Sequence, residues 1–186
     1  MGLLDKLTNI VSNTITEATK SNTKKVPYPY KDMESYQMAK RRDNYIYTLQ
    51  YQKIENQYYD SITKIDTLWS VLYNLKDFNG EKADKFEQIC IDNINVFKKM
   101  YYDYWVPNNT HDLNCVPAYK RLAMLYEKQG RYDDAVRVCI DAIDHGAPNE
   151  YGDGGSGKLY ARLARMAKKA GLLEDDKIQY ILRENQ

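Results

Sequence analysis

The residue types best suited to chemistry lie close together in the middle of the chain. His111, Asp112 and Cys115 carry an imidazole, a carboxylate and a thiol, the groups that bind zinc in proteins. A structural zinc site needs a fourth ligand, and the remaining candidates, Cys139 and His145, belong to a separate helical segment. We therefore expect no metal site, and we interpret His145 as a helix C-terminal residue favoured by the helix dipole.

Two other motifs are chemically suggestive but incomplete. The run GDGGSGK at 152–158 imitates a phosphate-binding loop, yet Leu159 stands where such loops place Ser or Thr, and no strand precedes it. A flexible loop between helical repeats explains the run better. Cys90 and Cys139 lack a recognisable local partner histidine and acid, so we expect small buried side chains rather than catalytic thiols. Neither enzymatic activity nor a cofactor is predicted.

Composition narrows the possibilities further. The chain has 186 residues with 43% hydrophobic side chains, and 27 Lys plus Arg balance 26 Asp plus Glu. Such a chain can build a hydrophobic core. Its balanced charge gives no long-range electrostatic attraction to nucleic acid or to an anionic membrane. The odd number of cysteines, three, is more typical of a protein with reduced thiols than of a disulfide framework. Because residues 1–20 also lack the features of a secretory signal, we predict a cytoplasmic protein.

Glycine and proline divide the chain into long intervals that predict helices. Residues 1–20 place Leu3, Leu7 and Ile10 at helical spacing and predict an amphipathic helix, followed by a linker over 21–30. The interval from 31 to 79 is helical in pattern, and a break near residues 56–61 is expected because one helix would span roughly 70 Å. Further helices are predicted at about Glu81–Tyr104, Pro117–Gln129, Tyr132–Asp144, Lys158–Ala170 and Glu174–Arg183. The expected fold is all-α.

Two segments of the C-terminal half repeat each other. AYKRLAMLYEKQG at 118–130 and LYARLARMAKKAG at 159–171 share six identities without a gap. Both end in a glycine that can adopt the left-handed conformation that closes a helix. With a fainter upstream copy, the pattern predicts a helical repeat domain over 31–186. Its hairpins are expected at about 62–104, 116–148 and 158–184.

The middle copy, residues 116–148, resembles the tetratricopeptide repeat (TPR). The resemblance rests on Tyr119, Leu122, Ala123, Tyr126, Gly130, Tyr132, Ala135, Ala142, Ile143 and Pro148. It implies a superhelix of stacked helical hairpins, in which small Ala123 and Ala135 let paired helices approach closely.

Tyrosine accounts for 18 of the chain's aromatic residues, against three Phe and two Trp. Several tyrosines occupy layer positions of the repeat, where we expect architectural roles: Tyr73, Tyr119, Tyr126, Tyr132 and Tyr160. The tyrosines outside the repeat, including those between 28 and 59, are candidates for a binding surface.

The TPR resemblance implies that the first helix of each hairpin lines a concave groove. The residues expected to bind a partner there are Lys120, Met124 and Lys128, followed by Arg165, Lys168 and Lys169. Residues 158–169 contain five cations and no acid, which favours an acidic peptide. The alternative interpretation is an ordinary solvated basic face.

These observations predict a non-enzymatic module that binds another protein or an acidic peptide. A less favoured alternative is nucleic-acid binding by the basic 158–169 face together with tyrosines. A third hypothesis, an enzyme centred on His111, Asp112 and Cys115, depends on a metal. The segment 1–20 is expected to pack on its own domain or on a partner, with membrane binding and disorder as the alternatives.

Overall fold

The intervals without glycine or proline fold as helices. The computed structural model describes residues 27, 29, 31–110, 113, 115–149 and 159–184. Within these residues the helices of eight residues or more are α1 Met33–Leu75, α2 Glu81–Met100, α3 Pro117–Gln129, α4 Tyr132–Asp144, α5 Leu159–Ala170 and α6 Asp176–Arg183. In the same part of the chain, the strand-like pairing is an isolated bridge between Cys115 and Asn149. The all-α prediction is confirmed.

Several predictions concern positions outside the described residues. They are the amphipathic helix at 1–20, most of the linker at 21–30, the loop at 152–158, and the side chains of His111 and Asp112.

The chain divides into two compact units, residues 1–47 and 48–186, with the division inside α1. In the first unit, Asp32 directly precedes α1, and its carboxylate accepts a hydrogen bond from the Ser35 backbone N–H at 2.8 Å. This bond lowers the pKa of Asp32 and satisfies one of the donors that a helix start leaves open. The remaining structure described below belongs to the second unit.

The expected break in the first long helical interval is wrong, because α1 runs without interruption through residues 56–61. The segment contains neither glycine nor proline, and its Tyr58 ring is buried in the core. Ser61 Oγ donates to the Tyr58 carbonyl at 2.7 Å, and Asn93 of α2 donates to the same carbonyl at 3.1 Å. Burial and these hydrogen bonds anchor the helix where a break was expected.

The end of α2 continues into a π-helical turn, Tyr101–Trp105. This turn carries one extra residue in its hydrogen-bonded ring and re-aims the side chains that follow. Tyr104 and Trp105 are thereby buried, and the Trp105 indole donates to the Tyr51 hydroxyl of α1 at 3.1 Å. The turn joins α2 to α1 through aromatic side chains.

Glycine closes α3 and α5 with the same turn. Gly130 and Gly171 have φ angles of 74° and 73°, the left-handed conformation that the repeat predicts. In each case the next backbone N–H reaches back across the turn, Arg131 to the Tyr126 carbonyl and Leu172 to the Ala167 carbonyl, both at 2.9 Å. The two hairpins α3–α4 and α5–α6 therefore turn by one shared mechanism.

The core lies between consecutive helices, with α2 packed on α3, α3 on α4, α4 on α5 and α5 on α6. Ala123 and Ala135 are fully buried, which allows close approach of α3 and α4. Cys90 and Cys139 are also fully buried, as predicted, and burial raises the pKa of the Cys90 thiol.

The layer tyrosines divide between core and surface. Tyr119 and Tyr126 are buried, and Tyr132 and Tyr160 are partly buried against the core. Tyr73 is 55% exposed, so its predicted layer role is wrong.

Candidate partner-binding surface

Ion pairs connect the first helices of successive hairpins. Arg121 of α3 pairs with Asp66 of α1 at 2.9 Å, and Arg162 of α5 pairs with Glu127 of α3 at 3.0 Å. Arg121 and Arg162 are the same position of the internal repeat. The repeated arginine therefore has an architectural role, because each copy ties its helix to the first helix of the preceding hairpin.

The six residues predicted to bind a partner lie on α3 and α5. Lys120 and Met124 are half-buried, and Met124 packs against the core. Lys128 is exposed, with its ammonium 5.9 Å from the centre of the Phe78 ring. The remaining three, Arg165, Lys168 and Lys169, are exposed on α5. We call these six residues together with Glu127 the front face.

Glu127 is the centre of the front face and was missed by sequence reasoning. Its carboxylate accepts from Arg165 at 3.1 Å and from Lys169 at 3.1 Å, in addition to Arg162. Burial opposes ionisation of Glu127, but the hydrogen bonds and charges of Arg165 and Lys169 outweigh burial and lower its pKa. The group is therefore a carboxylate at neutral pH.

Charge remains after this pairing. Glu127 is the shared carboxylate of Arg165 and Lys169, and the described structure gives Lys168 and Lys128 no carboxylate partner of their own. Arg165 and Lys169 keep nearly half of their side-chain surface in solvent. A ligand with carboxylates can thus reach donors on the front face, although it competes with Glu127 for two of them.

A second set of ion pairs connects α2, α4 and α6. Lys98 of α2 contacts Asp141 of α4 at 2.7 Å, and Lys177 of α6 contacts Asp144 of α4 at 2.7 Å. Asp141 also accepts from the Tyr119 hydroxyl at 3.0 Å. Burial and Asp141 together raise the pKa of Tyr119. These polar groups are occupied in holding successive hairpins together.

His145 follows α4 and joins a small polar cluster. One ring nitrogen lies 2.9 Å from the Tyr102 hydroxyl of the π-helical turn, and the other lies 2.8 Å from the Asp141 carbonyl. The latter contact satisfies a carbonyl of the last helical turn, in line with the predicted helix-end role. Among the residues that the structure describes, no group of three or more His, Cys, Asp and Glu is placed to hold a metal ion.

A groove runs along the outer side of the first hairpin, between α1 and α2. It has a volume of about 610 Å³ and is lined by Lys53, Lys64 and Lys85, by Asp60 and Asp92, and by Ile89 among others. Polar side chains and charges of both signs line the groove, and Ile89 is the hydrophobic residue among them. A lining of this kind suits a solvated surface of a terminal hairpin.

Comparison of the chain with protein-family models, with curated proteins and with solved structures gives no match. Function must therefore be argued from the geometry. In the described part of the chain, no helix combines the length and the apolar character needed to cross a bilayer.

Proposed function

We propose that residues 48–184 form a TPR-like array of three helical hairpins that binds an acidic segment of another protein on the front face. The observation that carries the proposal is that Arg165, Lys168, Lys169 and Lys128 outnumber the single carboxylate of Glu127, on the first helices of two consecutive hairpins. In a stack of this kind, first helices form one continuous surface that suits an extended peptide.

The packing supports the array. Successive hairpins are joined twice, by Asp66–Arg121 and Glu127–Arg162 between first helices and by Lys98–Asp141 and Lys177–Asp144 between second helices. The hairpin turns at Gly130 and Gly171 have the same geometry. Arg121 and Arg162, like Gly130 and Gly171, are related by the period of the repeat, which is what a linear stack of equivalent units requires.

The charge distribution supports an acidic ligand. Arg165 donates to Glu127 through two nitrogens, at 3.3 Å and 3.1 Å, so its guanidinium is already oriented for a carboxylate. Lys168 and Lys128 add positive charge at exposed positions nearby. Arginine in this orientation recognises carboxylates more specifically than a mobile lysine does.

The test is affinity capture with the intact chain, followed by the same capture with Lys128→Ala, Arg165→Ala and Lys169→Ala combined. We expect partners of the parent chain to be lost from this variant. A matched control removes three exposed cations from α2 and α6, with Lys82→Ala, Lys99→Ala and Arg183→Ala. Partners retained by both variants would contradict the front face as the binding surface.

A direct binding measurement separates the two ligand classes. The purified chain is titrated with a poly-glutamate peptide and with single-stranded RNA at low salt. Binding of the peptide that is lost in the front-face variant supports the proposal. Binding of RNA alone, with a steep loss on added salt, would instead favour the nucleic-acid alternative.

A further inference from the structure

The part of α1 that belongs to the first unit exposes both apolar and basic side chains. Every residue from Lys40 to Tyr47 is exposed. Met38 and Tyr45 each keep 64% of their surface in solvent, and Ile46 keeps 45%. Helices in proteins draw most of their stability from packing one face against a partner. An exposed face of apolar and basic side chains is therefore suited to bind a second surface.

The exposed side chains are ordered around the helix. At roughly 100° per residue, Met38 and Tyr45 lie about 20° apart and form one line along α1. Arg41 and Arg42 lie about 50° to either side of that line. Ile46 extends the apolar surface beyond Arg42. We call Met38, Arg41, Arg42, Tyr45 and Ile46 the α1 face.

We propose that the α1 face binds an anionic lipid surface, with residues 38–46 lying parallel to the bilayer. Met38, Tyr45 and Ile46 enter the headgroup boundary, and the tyrosine keeps its hydroxyl in the polar layer. The two arginines extend to lipid phosphates at equal depth on both sides of the apolar line. Lipid binding on this face is a property separate from the front face.

Charge complementarity selects this occupant over a second copy of the chain. Arg41 and Arg42 are both on the face, and Arg42 pairs with Asp43 at 3.4 Å through two side chains that are mostly exposed. Such a pair holds its arginine weakly. Two copies meeting through this face would bring four arginines together, whereas an anionic bilayer offers negative charge to all of them.

The test is sedimentation of the full chain with vesicles. We expect binding to vesicles of phosphatidylcholine mixed with phosphatidylserine, weaker binding as salt is added, and little binding to phosphatidylcholine alone. Arg42→Glu should weaken binding roughly tenfold, because each basic residue beside an anionic bilayer contributes about a fivefold factor and the substitution also adds repulsion. Met38→Ser with Tyr45→Ser should weaken it at both low and high salt.

Lys40→Glu is the matched control, since it makes the same charge change on α1 about 160° away from Arg42. It should weaken binding much less than Arg42→Glu does, and circular dichroism verifies that each variant keeps its helix content. Several results would overturn the proposal: no binding to anionic vesicles, equal effects of Arg42→Glu and Lys40→Glu, or binding that survives every substitution on the α1 face. A dimer in light scattering that Met38→Ser with Tyr45→Ser dissociates would assign the face to a second copy.

Discussion

At the scale of single residues, Glu127 controls both the stability and the charge of the front face. Glu127→Gln removes the carboxylate that lies 3.0 Å from Arg162, whose side chain is 11% exposed, and we expect the free energy of unfolding to fall by about 1–2 kcal/mol. The same substitution frees Arg165 and Lys169 for a ligand. Affinity for an acidic peptide should therefore rise while stability falls, as urea unfolding and peptide titration would show.

The pH dependence of stability gives the same substitution a second readout. In the folded chain the pKa of Glu127 is lowered, because the cations of α5 outweigh the effect of burial. Its contribution is thus fully present at neutral pH and is lost as the pH falls through the folded-state pKa. Urea unfolding of Glu127→Gln should depend less on acid pH than that of the parent. If both chains lose the same free energy of unfolding between neutral and acid pH, the ion pairs of Glu127 do not stabilise the fold.

Glu127 also shows what sequence reasoning could predict about the site. The cations of α5 were found from their position in the repeat, because a repeat period places equivalent residues on one face. Glu127 was missed, since its importance comes from contact across two hairpins. A signal was present: an acid on one first helix precedes a row of cations on the next first helix, which is the arrangement that pairs neighbouring units.

At the scale of elements, the hairpin turns depend on two glycines. Gly130 and Gly171 have positive φ, and an added Cβ at either position meets nothing within 4 Å. The cost of alanine there is conformational rather than steric, and we expect about 1 kcal/mol for Gly130→Ala and for Gly171→Ala. Gly130→Asn should cost less, because asparagine tolerates the left-handed region. Equal melting temperatures of Gly130→Asn and Gly130→Ala in thermal unfolding would contradict this explanation.

Glycine and proline predicted the ends of some helices well, but sequence patterns failed where tertiary contacts determine whether a helix continues. The predicted bounds of α3 and α4 match the structure, because Pro117 and Gly130 mark the ends of α3 by backbone chemistry. The break expected near 56–61 does not exist, since burial of Tyr58 and the amide of Asn93 hold α1 together there. The π-helical turn at Tyr101–Trp105 has no comparable sequence marker, because it depends on the tertiary contact between Trp105 and Tyr51 of α1.

At the scale of the whole molecule, the core belongs to one of the two units. Every buried hydrophobic side chain among the described residues lies between Tyr58 and Ile181. We therefore expect a chain that begins at Thr48 to unfold cooperatively in urea at a midpoint close to that of the full chain. Its Cys90 and Cys139 thiols should stay unreactive toward a thiol reagent until unfolding, because both are fully buried and burial keeps Cys90 protonated.

The matched truncation ends at Asn149 and removes α5 and α6. It uncovers the side of α4 that packs on α5 and takes away the cations that pair with Glu127. Because units of a linear stack are stabilised by their neighbours, this chain should unfold at lower urea and its Cys139 should react sooner than in the parent. Cys139 of the chain beginning at Thr48 should react more slowly than Cys139 of the chain ending at Asn149. Equal reaction rates would show that residues 1–47 contribute to the core and that the array is not a separate folding unit.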